Sequence, residues 1–244
     1  MDKIAILSDI HGNLPALQAV LRDISARGIR RIQCLGDLVG KGPEPAETVD
    51  LIRETCEAVC AGNWEGKLAD ASAAEGGLSW LTKELGPERI NYLRSLPFAL
   101  EWQLSGKRVR LFHASAKSLY HRVQPWSSEK DRLAMFENTP MTQSAGATGR
   151  PDIIGYGDIH RAFVQYLNRK MLFNAGSVGT PRDVPLACYA VLEGTWEGMI
   201  PAPFSLQFVR VPFNLSGTVR TARRKAMPGA EEYIRQLTQM NPGR

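Results

Sequence analysis

The spacing of apolar residues predicts alternating strands and helices in the first quarter of the chain. In chain order, the pattern predicts a strand at 4–7, a helix at 14–24, a strand at 31–35, a helix at 45–56 and a strand at 57–61. Such alternation is typical of parallel strands joined by helical crossovers. We therefore expect an α/β sheet in this part of the protein.

The rest of the chain is predicted to be helical at first and then rich in strands. A helical stretch is predicted over 65–96, and a polar, partly helical insertion over 124–150. Short β-branched or aromatic runs predict strands at 109–112, 153–156, 163–167, 171–173, 189–192 and 206–211. Because no repeat or low-complexity linker interrupts the pattern, we expect one domain over 1–244, with a C-terminal helical region at about 215–239.

Polar residues that can bind metals follow five predicted strands in succession. They are Asp9 and His11, Asp37, Asn63, His113, and Asp158 with His160. The carboxyl ends of strands in an α/β sheet meet at one edge, where ligands bind. Three of the four histidines of the chain belong to this set, whereas His121 lies in a polar stretch and is expected at the surface.

These side chains have the chemistry of a metal centre. Three carboxylates, three imidazoles and one amide oxygen are too many ligands for a single zinc ion, but they suit two ions bridged by a carboxylate. Oxygen and nitrogen donors without thiolate favour Mn²⁺, Fe or Zn²⁺ in a catalytic centre over a structural zinc.

The order of these motifs resembles that of the calcineurin-like metallophosphoesterases. The motifs are Asp9-x-His11-Gly12-Asn13, Gly36-Asp37-x-Val39, Gly62-Asn63, His113 and Gly157-x-x-His160. The chain is most similar to small bacterial members related to diadenosine tetraphosphatases and to phosphodiesterases. The resemblance implies an α/β fold with four layers, an αββα sandwich of two mixed β-sheets flanked by helices.

The resemblance also implies a ligand set and a reaction. Asp9, His11, Asp37 and His160 would hold the first ion, and Asp37 would bridge to a second ion held by Asn63, His113 and Asp158. Mn²⁺ is the favoured metal, with Fe, Zn²⁺, Mg²⁺ and Ni²⁺ as alternatives. The implied activity is hydrolysis of a phosphodiester or a small nucleotide-type phosphate ester by a metal-bridging hydroxide.

Two residues depart from the pattern of this family. Trp64 stands where the family usually has a histidine that acts as general acid, and Asp158 replaces the first histidine of its Gly-His-x-His motif. The indole of Trp64 would stack on a base or an aryl group, or simply pack. The carboxylate of Asp158 can bind a hard divalent ion, but it adds a negative charge to the centre.

Four residues are candidates for substrate contacts: Asn63, Trp64, Lys41 and Arg182. Lys41, in a Gly-Lys-Gly turn, is expected at the rim of the site, where it would meet an anionic substrate. Arg182 would bind a substrate phosphate or, alternatively, form a surface salt bridge.

Composition restricts the function only coarsely. The chain has 43% hydrophobic and 23% charged residues and a net charge of +5, and its apolar pattern predicts neither a signal peptide nor a membrane span. We therefore expect a cytoplasmic protein with no membrane partner, and the homo-oligomeric state stays open. The modest charge argues against a nucleic-acid partner. Two alternatives to the enzyme hypothesis stay open: a catalytically weakened binding or regulatory protein, and a nuclease that uses the basic cluster Arg220, Arg223, Arg224 and Lys225.

Overall fold

The computed structural model describes residues 1–70, 77–146 and 149–239. Its first half contains β1 (Asp2–Leu7), α1 (Leu14–Ala26), β2 (Arg31–Cys34), α2 (Pro45–Thr55), β3 (Ala58–Val59), α3 (Asn63–Asp70), α4 (Gly77–Arg94), β4 (Ala99–Leu104) and β5 (Lys107–Phe112). Its second half contains α5 (Glu129–Ala134), α6 (Pro140–Ser144), β6 (Ile153–Tyr156), β7 (Phe163–Leu167), β8 (Lys170–Asn174), β9 (Ala187–Gly194), β10 (Ser205–Val211), α7 (Leu215–Arg224) and α8 (Ala230–Thr238).

These strands form two mixed sheets of five strands each. The first sheet has the order β10-β9-β1-β2-β3, in which β1, β2 and β3 are parallel. The second has the order β4-β5-β6-β8-β7, in which β5, β6 and β8 are parallel and both edge strands are antiparallel. Helices flank the sheets, so the predicted α/β sandwich is confirmed.

Alternate residues of β1 show how the layers are held together. Ile4 and Ile6 pack into a core that also contains Leu111 and Phe173 of the second sheet. Ala5 and Leu7 face the opposite side, where they share a core with residues of α1 and α2. Because successive side chains of a strand point to opposite faces, a strand that is buried on both faces reads as the continuous apolar run seen here.

Two predictions of secondary structure were wrong in detail. The strand β4 was not predicted, because Glu101 and Gln103 interrupt its apolar pattern; Glu101 pairs instead with Arg108 and Arg110 of the neighbouring strand. The predicted helical stretch 65–96 is two helices, α3 and α4, and α4 is broken at Gly86, whose φ of 68° and ψ of 169° are not helical. Residues 71–76 of the predicted stretch lie outside the described residues.

The remaining helices agree with the expected regions. The insertion at 124–150 contains α5 and α6, apart from residues 147–148, which are not described. The C-terminal region forms α7 and α8, which share a small apolar core with Trp80 of α4. Within the described ranges, no helix has the length and apolar character that crossing a membrane requires.

Candidate metal centre

The loops that follow the strands hold the candidate ligands in an unusual backbone conformation. Asp9, His11, Asp37, Asp158 and His160 all have φ between 50° and 62°. This left-handed region is uncommon for residues other than glycine, and residues in it cluster at functional sites. The loops also bind each other, since the amide of His11 donates to the carbonyl of Asp37 at 2.9 Å. The strained backbone therefore brings these side chains to a common centre.

Asp9, His11 and His160 form the first group of candidate ligands. The Nε2 atom of His160 lies 3.1 Å from Oδ1 of Asp9 and 3.3 Å from Nε2 of His11. Nδ1 of His11 lies 3.1 Å from the carbonyl oxygen of Val39, and Nδ1 of His160 lies 2.7 Å from that of Thr180. A backbone partner on Nδ1 orients the ring and leaves Nε2 as the ligand atom, as is usual for histidines that bind metals.

Asp9, Asp37 and His113 form the second group. Oδ1 of Asp37 lies 3.5 Å from Nε2 of His113, and its Oδ2 lies 3.6 Å from Nε2 of His11. Nδ1 of His113 donates to the carbonyl of Leu35 at 2.8 Å, which again leaves Nε2 for a ligand. Asp37 thus has one carboxylate oxygen next to each group, which is the arrangement that a bridging ligand needs.

The chemistry of the donors fits two divalent cations. Oδ1 of Asp9 and Nε2 of His113 are fully buried and have no hydrogen-bond partner among the described residues. Buried polar atoms are normally paired, because leaving one unpaired costs about 1–3 kcal/mol. Three carboxylates are also buried in this small region, those of Asp9, Asp37 and Asp158. Cations bound at the centre would give the two unpaired atoms a partner and would neutralise the buried carboxylates.

The mutual charges of these residues shift their pKa values. Burial disfavours the ionised form of Asp9, but the nearby histidines outweigh it and lower the pKa of this carboxyl. Burial raises the pKa of Asp37 to about 7, and the charges of Glu65 and Asp9 add to this effect. For His113, burial is opposed by the surrounding carboxylates, which raise the pKa of the imidazole to about 9.

Lys41 is half-buried, and its ammonium contacts candidate ligands of the centre. Its Nζ atom is 3.1 Å from Nε2 of His11 and 3.4 Å from Nε2 of His160. Lys41 itself has a φ of 61°, like the candidate ligands. Burial lowers the pKa of Lys41 to about 8, although the charges of Asp37 and Asp9 act in the other direction. The ammonium therefore contacts the same imidazole nitrogens that a metal ion would use.

Asp158 is bound on both oxygens by neighbouring side chains. Arg122 donates from Nε to Oδ2 and from Nη2 to Oδ1, both at 2.8 Å, and Asn63 donates from Nδ2 to Oδ1 at 3.1 Å. Oδ1 also lies 3.9 Å from Nε2 of His113. The structure thus brings Asn63 and Asp158 to the side of the centre where His113 lies.

Sequence reasoning missed Arg122. Its position next to His121, in a polar stretch, suggested only a surface segment. A third buried carboxylate needs a cation, and that requirement was the available signal. His121 is half-buried, and its Nδ1 lies 3.1 Å from Oγ of Ser115.

Trp64 and Glu65 begin the helix α3 next to the centre. The Trp64 ring meets the His11 ring edge to face, with 6.4 Å between their centroids, and its indole packs directly against Gly40, where a Cβ atom would collide with it. The Trp64 amide donates to Oδ1 of Asp37 at 2.9 Å. The Glu65 carboxylate is buried and accepts three backbone amide hydrogens of the neighbouring loops, at 2.7–3.0 Å. Glu65 therefore holds the loops of the centre together.

Two further sets of basic residues were predicted as candidates. Arg182 has no ion pair among the residues that the structure describes, so the alternative of a surface salt bridge is not formed there. Burial and the nearby charge of Arg122 lower the pKa of Arg182. In the C-terminal cluster, Arg223 pairs with Glu231, and Lys225 pairs with Glu47 and Glu84. These pairs favour a solvated helix face.

Comparisons with known proteins agree with the fold and the motifs. The family model of the calcineurin-like phosphoesterase superfamily domain matches residues 2–195. The chain is 32% identical to the uncharacterized protein MJ0912 of Methanocaldococcus jannaschii, over 92% of this chain and 93% of that protein. It is 25% identical to phosphodiesterase YfcE of Escherichia coli, over 79% and 88% of the two chains.

The fold is also that of a solved metallophosphoesterase. The crystal structure of the metallophosphoesterase from Sphaerobacter thermophilus superposes with a TM-score of 0.72, covering 97% of this chain and 98% of that one, at 24% identity. The resemblance seen in the motifs is thus confirmed at the level of the family. The chain belongs to the calcineurin-like phosphoesterase superfamily.

Proposed function

We propose that this protein is a metal-dependent phosphoesterase that hydrolyses phosphodiester or nucleotide-type substrates with two divalent ions. The observation that carries the proposal is the pair of buried, unpartnered ligand atoms, Oδ1 of Asp9 and Nε2 of His113, at the centre of the ordered motifs. The phosphodiesterase YfcE, which is 25% identical to this chain, supports the same class of activity.

The proposed ligand sets are those that the family resemblance implies, and they extend the two observed groups of side chains, which share Asp9. One ion would be held by Asp9, His11, Asp37 and His160, and the other by Asp37, Asn63, His113 and Asp158. When bound, such ions activate water for attack on phosphorus and neutralise the charge of the phosphoryl oxygens. Mn²⁺ suits the mixed carboxylate, amide and imidazole donors, and Fe, Zn²⁺, Mg²⁺ and Ni²⁺ are the alternatives to be compared with it.

The cationic side chains next to the centre would bind the substrate phosphate. Asp158 holds the guanidinium of Arg122 by two hydrogen bonds, and Nη1 of Arg122 makes none among the described residues. Arg182 lies close enough for the two guanidinium groups to repel each other. An anionic phosphate between them would relieve this repulsion, and arginine recognises phosphate through directed hydrogen bonds.

Trp64 determines which leaving groups the enzyme would accept. The indole N–H is only a hydrogen-bond donor and does not exchange protons as an imidazole does. General acid catalysis contributes typically about 10²–10⁴-fold, so substrates that need protonation of the leaving oxygen would react slowly. The proposal therefore predicts a preference for esters whose leaving groups are weak bases.

The test is hydrolysis of bis(p-nitrophenyl) phosphate by the purified protein with Mn²⁺ and with chelator. We expect metal-dependent turnover that the variants Asp37→Asn and His160→Ala abolish. His121→Ala removes the one histidine outside the proposed ligand set and should retain activity. A protein that binds two ions without turning over any phosphodiester would instead support the binding-protein alternative, and turnover that survives Asp37→Asn would contradict the proposed centre.

A further inference from the structure

A cleft with aromatic walls adjoins the metal centre. Its volume is about 510 Å³, which is within the usual range of sites for small organic ligands, about 300–1,000 Å³. Its walls are formed by the turn at Lys41, by α3 and α4, and by the segment from Met227 into α8; they include Trp64, Trp80, Leu81 and Tyr233. The wall at Met227–Gln236 lies beyond residues 2–195, which the family model matches.

The cleft lies next to the centre, because two residues belong to both. Lys41 lines the cleft, and its ammonium contacts His11 and His160. Trp64 also lines the cleft, and its ring touches the His11 ring edge to face. An organic group attached to a phosphate at the centre would therefore lie close to Lys41 and Trp64, which also line the cleft.

The chemistry of the walls selects the kind of group that fits. Trp64 and Trp80 are half-buried, so parts of both rings remain accessible. Lys67 lies over the Trp64 ring, with Nζ 4.6 Å from its centroid, and its side chain is exposed. Aromatic side chains together with Lys41 and Lys67 in the lining suit a flat, aromatic group attached to a phosphate. Stacking of such a group on tryptophan does not depend on a specific hydrogen-bond pattern.

From this geometry we infer that the cleft binds the nucleobase of a nucleotide-type substrate. The inference rests on the proposed function, since it places the substrate phosphate at the metal centre. The segment from Met227 into α8 then contributes to substrate selectivity, because it lines the same cleft as Trp64 and Trp80.

Binding experiments test this separately from catalysis. Adenosine 5′-monophosphate and ribose 5-phosphate carry the same phosphate and sugar, and only the former has a base. Isothermal titration of the Mn²⁺-loaded protein should show that the nucleotide binds about 10-fold more tightly or better. In Trp80→Leu, which keeps an apolar side chain but removes the ring, we expect the difference between the two ligands to fall to within about twofold.

A matched substitution controls for loss of a tryptophan elsewhere. Trp196→Leu changes a tryptophan that stacks on Trp102, with centroids 4.7 Å apart, and it should keep the full preference for the nucleotide. Because Trp80 also packs with α8, Trp64→Leu provides a second variant at the cleft, and it should reduce the preference in the same way.

The outcomes separate the inference from the proposed function. Equal affinity for the two ligands in the wild-type protein would overturn the inference, as would a preference that both Trp80→Leu and Trp64→Leu retain. A base-dependent preference in a protein that hydrolyses no phosphodiester would support the cleft while contradicting the proposed function.

Discussion

Replacing Lys41 by methionine should strengthen metal binding. The Lys41 ammonium donates to Nε2 of His11 at 3.1 Å and lies 3.4 Å from Nε2 of His160. A metal ion that binds these two nitrogens must break their contacts with the ammonium. The positive charge of Lys41 then lies near the ion and repels it. Methionine is close to lysine in length, has no charge, and needs no greater backbone freedom at the φ of 61°.

The size of the effect follows from what the ion must break. A hydrogen bond of a charged group contributes about 1.5–3 kcal/mol net. We count one such bond and not two, because the burial that lowers the pKa of Lys41 already offsets part of the interaction. A gain of about 1.5–3 kcal/mol corresponds to a Kd for Mn²⁺ that is about 10- to 150-fold lower.

The assay is isothermal titration of the metal-free protein with Mn²⁺ at neutral pH. Lys67→Met is the matched control, since Lys67 is exposed and contacts Trp64 and no candidate ligand. Its Kd should equal that of the wild type. An unchanged or weaker affinity of Lys41→Met would refute the reasoning, because it would mean that the ammonium does not compete with the ion for His11 and His160.

Three further variants test other parts of the account. Glu65→Gln replaces one acceptor oxygen by an NH₂ group that faces backbone N–H donors. Urea denaturation should therefore show a loss of about 1–3 kcal/mol in the free energy of unfolding. The control Glu88→Gln, at an exposed position, should change this free energy very little. Asp158→His removes the anchor of Arg122, and steady-state kinetics should show a KM for bis(p-nitrophenyl) phosphate that is roughly 10-fold higher, about 1.4 kcal/mol; a higher kcat/KM would contradict this role. Asp183→Asn breaks an ion pair in which Arg210 of β10 donates two hydrogen bonds to the carboxylate. Burial disfavours the ionised form of Asp183, but this ion pair and the backbone donors outweigh it and lower the pKa of the carboxyl. A carboxyl whose pKa is lowered by folding stabilises the protein above its unfolded pKa, so the variant should lose about 1–3 kcal/mol at pH 7, and its difference from the wild type should shrink below about pH 4.

The strand ends explain how much of the centre could be predicted from the sequence. Asp9, His11, Asp37, His113 and His160 each lie within four residues of the end of a strand, where ligands of α/β sheets are expected, so the strand pattern indicated them as candidates. The family motifs then gave their order along the chain. The structure brings all five together, as expected.

The contacts between distant loops could not be predicted in the same way. Arg122 reaches Asp158 from an irregular segment, and neither periodicity nor a motif indicates where such a segment passes. Lys41 was expected at the rim to meet an anionic substrate, and the sequence did not indicate that its ammonium would also contact His11. The unpredicted strand β4 has the same origin, since Glu101 is paired with arginines of β5 and therefore does not disturb the sheet.

The cleft depends on a further long-range contact. Trp64 and Trp80 are brought to one place with α8 by the packing of the C-terminal helices, which the sequence predicts as helices but does not position. The expectations of a single domain and a cytoplasmic location remain predictions.

The most direct test of the account is a crystal structure of the protein grown with Mn²⁺, with anomalous scattering measured at the manganese absorption edge. The account predicts two anomalous peaks roughly 3.5–4 Å apart, with Asp37 bridging them. One ion should contact His11 and His160, and the other should contact His113. Manganese bound elsewhere, or a centre in which the Lys41 ammonium still contacts His11 and His160 at saturating Mn²⁺, would contradict it.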